Sequence, residues 1–207
     1  MALFFNRKKV GGDIAYYGLT DWWLNELTKD ERNIIRNTYK PLGTTNLIDE
    51  GSISFSSQSK LSFLGTLSEW FKKNEYFYIG DKIFIEGEKY IDETPNILDK
   101  HFFFLNGIHL YYSNRDAHPM ALEKAIECCK LQISISEKAK KAFLKEYNNE
   151  KLPQHTGYKQ LAIIYEKQAN FNEALKISKQ ALSEGWNVDD SKKRIEKLEK
   201  KIHNNLN

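Results

Sequence analysis

The stretch from Gly157 to Ala181 decides the fold, and it reads GYKQLAIIYEKQANFNEALKISKQA. Small side chains recur along it at positions where two helices can approach closely, while Tyr165 and Phe171 can fill the space beside them. The stretch therefore predicts a tightly packed pair of helices. The positions that carry this pattern are Leu161, Ala162, Tyr165, Phe171, Ala174 and Ala181.

This pattern resembles the tetratricopeptide repeat, a pair of antiparallel helices in about 34 residues. The departures are Ser178, where the family usually has an aromatic residue, and Trp186, where proline often closes the unit. The same spacing recurs twice upstream. The first copy comprises Leu67, Ser68, Phe71, Phe77, Gly80, Phe84 and Gly87, and a more degenerate second copy comprises Ile108, His109, Tyr112, His118, Ala121, Ala125 and Cys128.

The resemblance implies an all-α, TPR-like helical-repeat solenoid of about three irregular helix pairs. We expect an N-terminal helical cap and loop over 1–58, repeats over 59–188 and a capping helix over 189–207. The Thr28–Glu31 capping box predicts a helix start within the N-terminal cap, where Trp22 and Trp23 are expected packing anchors. The insert Ser136–Gln154 is expected to lengthen the second helix of the middle pair. The three pairs are expected over about 61–94, 102–135 and 155–188.

Composition narrows the class of protein. Lys and Arg number 31 against 28 Asp and Glu, so the net charge of +3 favours neither nucleic acid nor an anionic membrane as a partner. No apolar run is long enough to cross a bilayer, and the apolar-then-basic order of the N-terminus is the reverse of a secretory signal. Cys128 and Cys129 are adjacent, which makes a disulfide between them a poor prospect and favours a reducing, cytoplasmic location.

Catalytic chemistry has little support in the sequence. Cys128 and His109 occupy repeat positions that meet between helices, but a packing position for a small side chain already explains the cysteine. The spacing of His101, His109 and His118 does not match helical metal sites. Phosphate-binding glycine motifs and the nucleophile-elbow motif are lacking as well. We therefore expect no enzymatic activity, no catalytic residue, no metal and no cofactor.

A binding surface is the positive expectation. Proteins of the resembled family commonly bind peptides on the concave face formed by the first helix of each pair. The lysines and asparagines on that face suit a partner with acidic groups, and its apolar residues suit an apolar side chain. Phe103 and Leu110 could instead pack against the N-terminal cap. The candidate residues are Lys72, Lys73, Phe103, Asn106, Leu110, Asn114, Lys159, Ile163 and Lys167.

The expected function is a non-enzymatic adaptor that binds a protein or peptide, similar to small bacterial tetratricopeptide proteins. One alternative is a self-associating structural protein that uses exposed aromatic residues such as Trp22 or Trp186. Another is a peptide-sensing regulatory protein, although the N-terminal helices lack a clear DNA-recognition helix with a basic face.

Overall fold

The computed structural model describes residues 10–41, 47–148 and 152–204. These residues are all-helical, with no β-strand among them. The chain divides into two compact units, Met1–Lys60 and Leu61–Asn207. The α-helices of the described ranges are α1 (Gly12–Tyr16), α2 (Thr20–Asn25), α3 (Lys29–Thr38), α4 (Lys60–Glu69), α5 (Phe77–Glu88), α6 (Ile97–Ser113), α7 (Ala121–Ser134), α8 (Ser136–Glu146), α9 (Thr156–Lys167), α10 (Phe171–Glu184) and α11 (Val188–Asn204).

The first unit is organised around one buried carboxylate. Asp49 accepts a hydrogen bond from Trp23 Nε1 at 3.1 Å and forms an ion pair with Arg36 at 2.6 Å. The predicted capping box is confirmed, since Thr28 and Glu31 bond each other's backbone N–H groups at the start of α3. Trp22 and Trp23 are both buried, as expected of packing anchors.

Each of the three ranges expected to hold a helix pair contains two helices, namely α4 and α5, α6 and α7, and α9 and α10. Helix α6 packs against α7, α7 against α9, and α9 against α10. The expected capping helix is present as α11, which packs on α10. Parts of the sequence expectations fall on positions 1–9, 42–46, 149–151 and 205–207, which lie outside the described residues.

The insert differs from its expectation. Helix α7 ends at Ser134, and Ile135 leaves helical geometry with φ −105° and ψ 4°. A separate helix, α8, then begins at Ser136 and buries Ala139 and Phe143. The insert therefore adds a helix and does not lengthen α7, because its apolar side chains cover a different part of the core.

A stacked pair of phenylalanines forms the centre of the second unit. The rings of Phe84 and Phe103 lie 4.3 Å apart at an interplanar angle of 10°, and both are buried. Glycines on three helices make room for them. A Cβ on Gly65 would lie 2.9 Å from Phe103 Cδ2, one on Gly87 would lie 2.5 Å from Phe103 Cε2, and one on Gly107 would meet Phe84.

Two expectations about aromatic surfaces are wrong. Trp186 is fully buried and Trp22 is 8 % exposed, so neither offers the exposed aromatic face on which self-association depended. Trp186 follows Gly185, which ends α10 in the left-handed conformation with φ 81° and turns the tryptophan into the core. Across the described residues, no helix combines the length and the apolar character needed to span a membrane.

Substituting Gly107 tests the close approach of these helices. We expect Gly107→Ala to lower the free energy of unfolding by about 1–3 kcal/mol, because the new methyl group would press on Phe84 and lie 2.7 Å from Cys128 Sγ. Chemical denaturation monitored by circular dichroism measures the loss. Ser113→Ala, at an exposed position of the same helix, is the control. A Gly107→Ala protein as stable as the control would contradict the packing described here.

Candidate functional site

A groove forms where three helices of the second unit meet. Its cavity of about 240 Å³ is bordered by the end of α4, the second half of α6 and the first half of α9. These are the first helices of the three expected pairs. We call this surface the groove, and its lining residues are Glu69, Lys72, Ile108, His109, Tyr112, Ser113 and Gln160.

Glu69 organises the polar end of the groove. Its Oε1 atom lies 3.1 Å from His109 Nδ1 and 3.0 Å from Lys72 Nζ. The hydrogen bond with His109 is the main reason that the pKa of Glu69 falls to about 2, despite the opposing effect of burial. Glu69 is therefore ionised at neutral pH, and its charge is engaged by groups of the protein itself.

Tyr112 forms the aromatic part of the groove. The Arg115 guanidinium lies 4.3 Å from its ring centroid, and the Lys167 ammonium lies 5.8 Å from it. Lys167 Nζ also donates a hydrogen bond of 3.2 Å to the Tyr112 hydroxyl. These contacts place two cations beside one ring. Arg115 also forms an ion pair of 3.0 Å with Asp116, so Lys167 supplies the unpaired positive charge next to Tyr112.

The structure brings some of the candidate residues to this surface. Lys72 lines the groove, Lys73 follows it and is exposed, and Lys167 contacts Tyr112. Lys159 and Ile163 are half-buried on α9, where Lys159 precedes the lining residue Gln160. Asn106 is half-buried on α6, and its Nδ2 atom would lie 3.2 Å from a Cβ placed on Gly65.

Three candidates lie in the core instead. Phe103 and Leu110 are fully buried, and a Cβ placed on Gly80 would lie 2.8 Å from Leu110 Cδ1. Asn114 is 2 % exposed and donates hydrogen bonds to the backbone oxygens of Lys72 and Leu110, each at 2.8 Å. Phe103 and Leu110 pack in the core, and Asn114 satisfies two backbone carbonyl groups. None of the three side chains is therefore accessible to a partner in the groove.

Sequence reasoning missed four groove residues, Ile108, His109, Tyr112 and Gln160. The first three were assigned to repeat packing positions, yet they also line the groove. Gln160 lies four residues after Thr156 and seven before Lys167, so helical spacing places all three on one stripe. That spacing was the available signal.

Some charged side chains around the groove form ion pairs and others do not. Glu69 is engaged by His109 and Lys72. Within the described ranges, by contrast, no ion pair is found for the ammonium groups of Lys73, Lys159 and Lys167. The groove region therefore carries uncompensated positive charge available to an acidic ligand.

Glu166, also on α9, faces a different set of partners. Its carboxylate binds Arg194 at 3.0 Å, Lys197 at 2.6 Å and Lys201 at 2.8 Å, all on α11. Burial alone would raise the pKa of Glu166, but the hydrogen bonds from Lys197 and Lys201 lower it to about 2. This cluster fastens α11 to α9, the helix that supplies one side of the groove.

The Cys128 and His109 pair has no features of an activated nucleophile. Cys128 is buried, and burial raises the pKa of its thiol well above the usual value, which disfavours the thiolate. His109 is instead bonded to Glu69. The described part of the chain also contains no group of three or more His, Cys, Asp or Glu side chains arranged to hold a metal ion.

Comparison with known proteins adds no assignment: no protein-family model, no curated protein and no solved structure matches the chain.

The Glu166 cluster yields a prediction about pH and stability. The pKa of Glu166 is lower in the folded protein than its ordinary value of 4.5. Its ion pairs therefore stabilise the folded protein fully above pH 4.5, and this stabilisation is lost as the pH falls toward about 2. At neutral pH we expect Glu166→Gln to destabilise the attachment of α11 by about 1–2 kcal/mol, since its cations are partly exposed. Faster amide hydrogen exchange in α11 is the readout.

Glu196→Gln is the control, because Glu196 is an exposed carboxylate on α11, the helix whose exchange is measured. It should leave the exchange rates of α11 nearly unchanged. If both variants alter α11 equally, the stabilisation comes from the general charge of the helix and not from the Glu166 cluster.

Proposed function

We propose that the chain is a non-enzymatic adaptor that binds an acidic peptide segment of a partner protein in the groove. The observation that carries the proposal is the convergence of three helices on a cavity lined by Tyr112 and Lys72. Lys73, Lys159 and Lys167, for which the described ranges show no carboxylate partner, lie on the segments that border this cavity. Acidic side chains would bind these lysines, and an apolar side chain would contact the Tyr112 ring.

The dimensions of the groove favour a peptide over a cofactor. A cavity of about 240 Å³ is smaller than the roughly 300–1,000 Å³ that small-molecule sites usually enclose. It suits one or two side chains of an extended partner. The resemblance of the helix pairs to tetratricopeptide repeats supports the same class of function, since such proteins commonly bind peptides on this face.

Glu69 adds selectivity in this proposal. Its carboxylate repels an acidic ligand at close range, while in the free protein it pairs with Lys72 and shares a hydrogen bond with His109. Acidic groups would therefore bind toward Lys159 and Lys167, and an uncharged part of the peptide would lie near Glu69. Self-association is not proposed, because the tryptophans on which it depended are buried.

A peptide selection with a charge-reversed variant tests this function. Peptides selected for binding to the wild-type protein should be rich in Asp and Glu and carry an apolar residue. Their affinity should fall at least about tenfold in the variant Lys72→Glu/Lys159→Glu/Lys167→Glu, as expected for losing 1.4 kcal/mol or more. Isothermal titration calorimetry at two salt concentrations measures the affinity and its electrostatic part.

A second variant controls for net charge. Lys130→Glu/Lys141→Glu/Lys192→Glu makes the same change in charge at exposed lysines of α7, α8 and α11. Its affinity should remain close to that of the wild type. Equal losses in the two variants, or selected peptides without acidic residues, would contradict the proposed function.

A further inference from the structure

Three buried ring nitrogens lie together in the second unit, away from the groove-lining residues. They belong to His101, His155 and Trp186, whose side chains are 2 %, 0 % and 0 % exposed. The ring centroid of His155 lies 5.1 Å from that of His101 and 4.9 Å from that of Trp186, and the His101 and Trp186 centroids are 6.4 Å apart. We call these three side chains the donor cluster.

The proton of His101 can be assigned from its neighbour Gln132. The Gln132 amide is oriented by two bonds, because its Oε1 accepts from Gly157 N at 2.6 Å and its Nε2 donates to His101 O at 3.0 Å. The same Nε2 lies 3.3 Å from His101 Nε2, which must act as the acceptor. Burial lowers the pKa of His101 to about 4, so the neutral ring at pH 7 carries its proton on Nδ1.

His155 has the opposite tautomer. The backbone N–H of Tyr158 donates to its Nδ1 at 3.4 Å, so that nitrogen carries a lone pair. Burial, and then the neighbouring His101, lower the pKa of His155 to about 3. The neutral ring therefore carries its proton on Nε2, while the Trp186 indole nitrogen is always a donor.

None of these three N–H groups has a hydrogen-bond partner among the described residues. The orphaned atoms are His101 Nδ1, His155 Nε2 and Trp186 Nε1. A buried donor left unpaired is destabilising because it loses its hydrogen bonds to water, and a bound water or ion is one recognised way to satisfy it. The contacting rings bring the three unpaired donors into one cluster, so a single shared guest would satisfy all three.

The three N–H donors limit which ligands could bind to the cluster. Protonated nitrogens cannot ligate a cation, so the guest must accept hydrogen bonds. A water molecule has two lone pairs for three donors and would also need acceptors for its own two O–H groups. A monatomic anion accepts all three bonds and has no hydrogen to place, and bonds to an ion are stronger than neutral ones.

We propose that the donor cluster is a binding site for a halide-sized anion such as chloride. The sequence neighbours of His155 and Trp186, namely Gln154, Gly185 and Asn187, line a cavity of about 350 Å³. Asp189 and Asp190 also line that cavity and would repel an anion, so the proposed site is the donor cluster itself and not the cavity. The Asn187 side chain accepts a hydrogen bond from His155 N at 2.8 Å and donates one to His155 O at 2.9 Å, which fixes the backbone of this histidine.

Crystals of the full chain grown in sodium bromide test the site directly. Bromide scatters anomalously, so an anomalous difference peak within hydrogen-bond distance of His101 Nδ1, His155 Nε2 and Trp186 Nε1 is the expected result. A water peak without anomalous signal, an empty cluster, or bromide found only on the surface would each overturn the proposal.

Thermal unfolding in solution provides a second, independent readout. In sodium bromide the Tm of the wild type should exceed its Tm in sodium gluconate, whose anion is too large for the site, by about 2–4 °C. Trp186→Phe keeps an aromatic ring but removes one donor, and should lose most of that difference even if its overall Tm is lower. An equal bromide effect in both proteins would overturn the proposal.

Discussion

Two phenylalanine rings stacked face to face hold the helices of the second unit at close range. Phe103 occupies the space left by glycines on α4 and α5, and Phe84 occupies the space left by Gly107 on α6. A methyl group at any of these glycines would collide with a ring, so ring and glycine are complementary in shape. The distance between α4 and α6 depends on this fit.

The groove follows from that distance. With Phe103 buried between α4 and α6, the exposed ends of the two helices lie close enough for His109 to reach Glu69 across them. Asn114 further ties the end of α6 to the backbone at Lys72. Helix α9 completes the surface through Gln160 and Lys167, and the Glu166 cluster fastens α9 to α11. Core packing thus determines where the polar side chains meet.

Much of this architecture could be predicted from helical spacing and small-residue positions. The all-helical class followed from the pattern that contains Ala174 and Ala181, because that pattern records positions where helices can pack closely. The side of each helix that faces a partner was harder to predict. The sequence analysis assigned Phe103, Leu110 and Asn114 to the groove. Position along a repeat does not distinguish a side chain on the concave face from one that is buried in the core, and glycines on α4 and α5 make room in the core for Phe103 and Leu110.

Other features lay beyond what spacing can predict. The break at Ile135 that separates α7 from α8 carries no proline or glycine. After the break, Phe143 of α8 packs beside Trp186 and His101. The burial of Trp186 depends on Gly185, a turn signal that could have been noticed in the sequence. The donor cluster joins residues up to 85 positions apart, as counted from His101 to Trp186, and only the tertiary structure brings them together.

The central claim is that the first helices of the three pairs form one binding surface. Amide hydrogen exchange of the free protein and of its complex with a selected acidic peptide tests this most directly. We expect the peptide to slow amide exchange at the end of α4, in the second half of α6 and along α9. Exchange in α8 and α10 should change little. Protection confined to α10 and α11, or spread evenly over the chain, would contradict it.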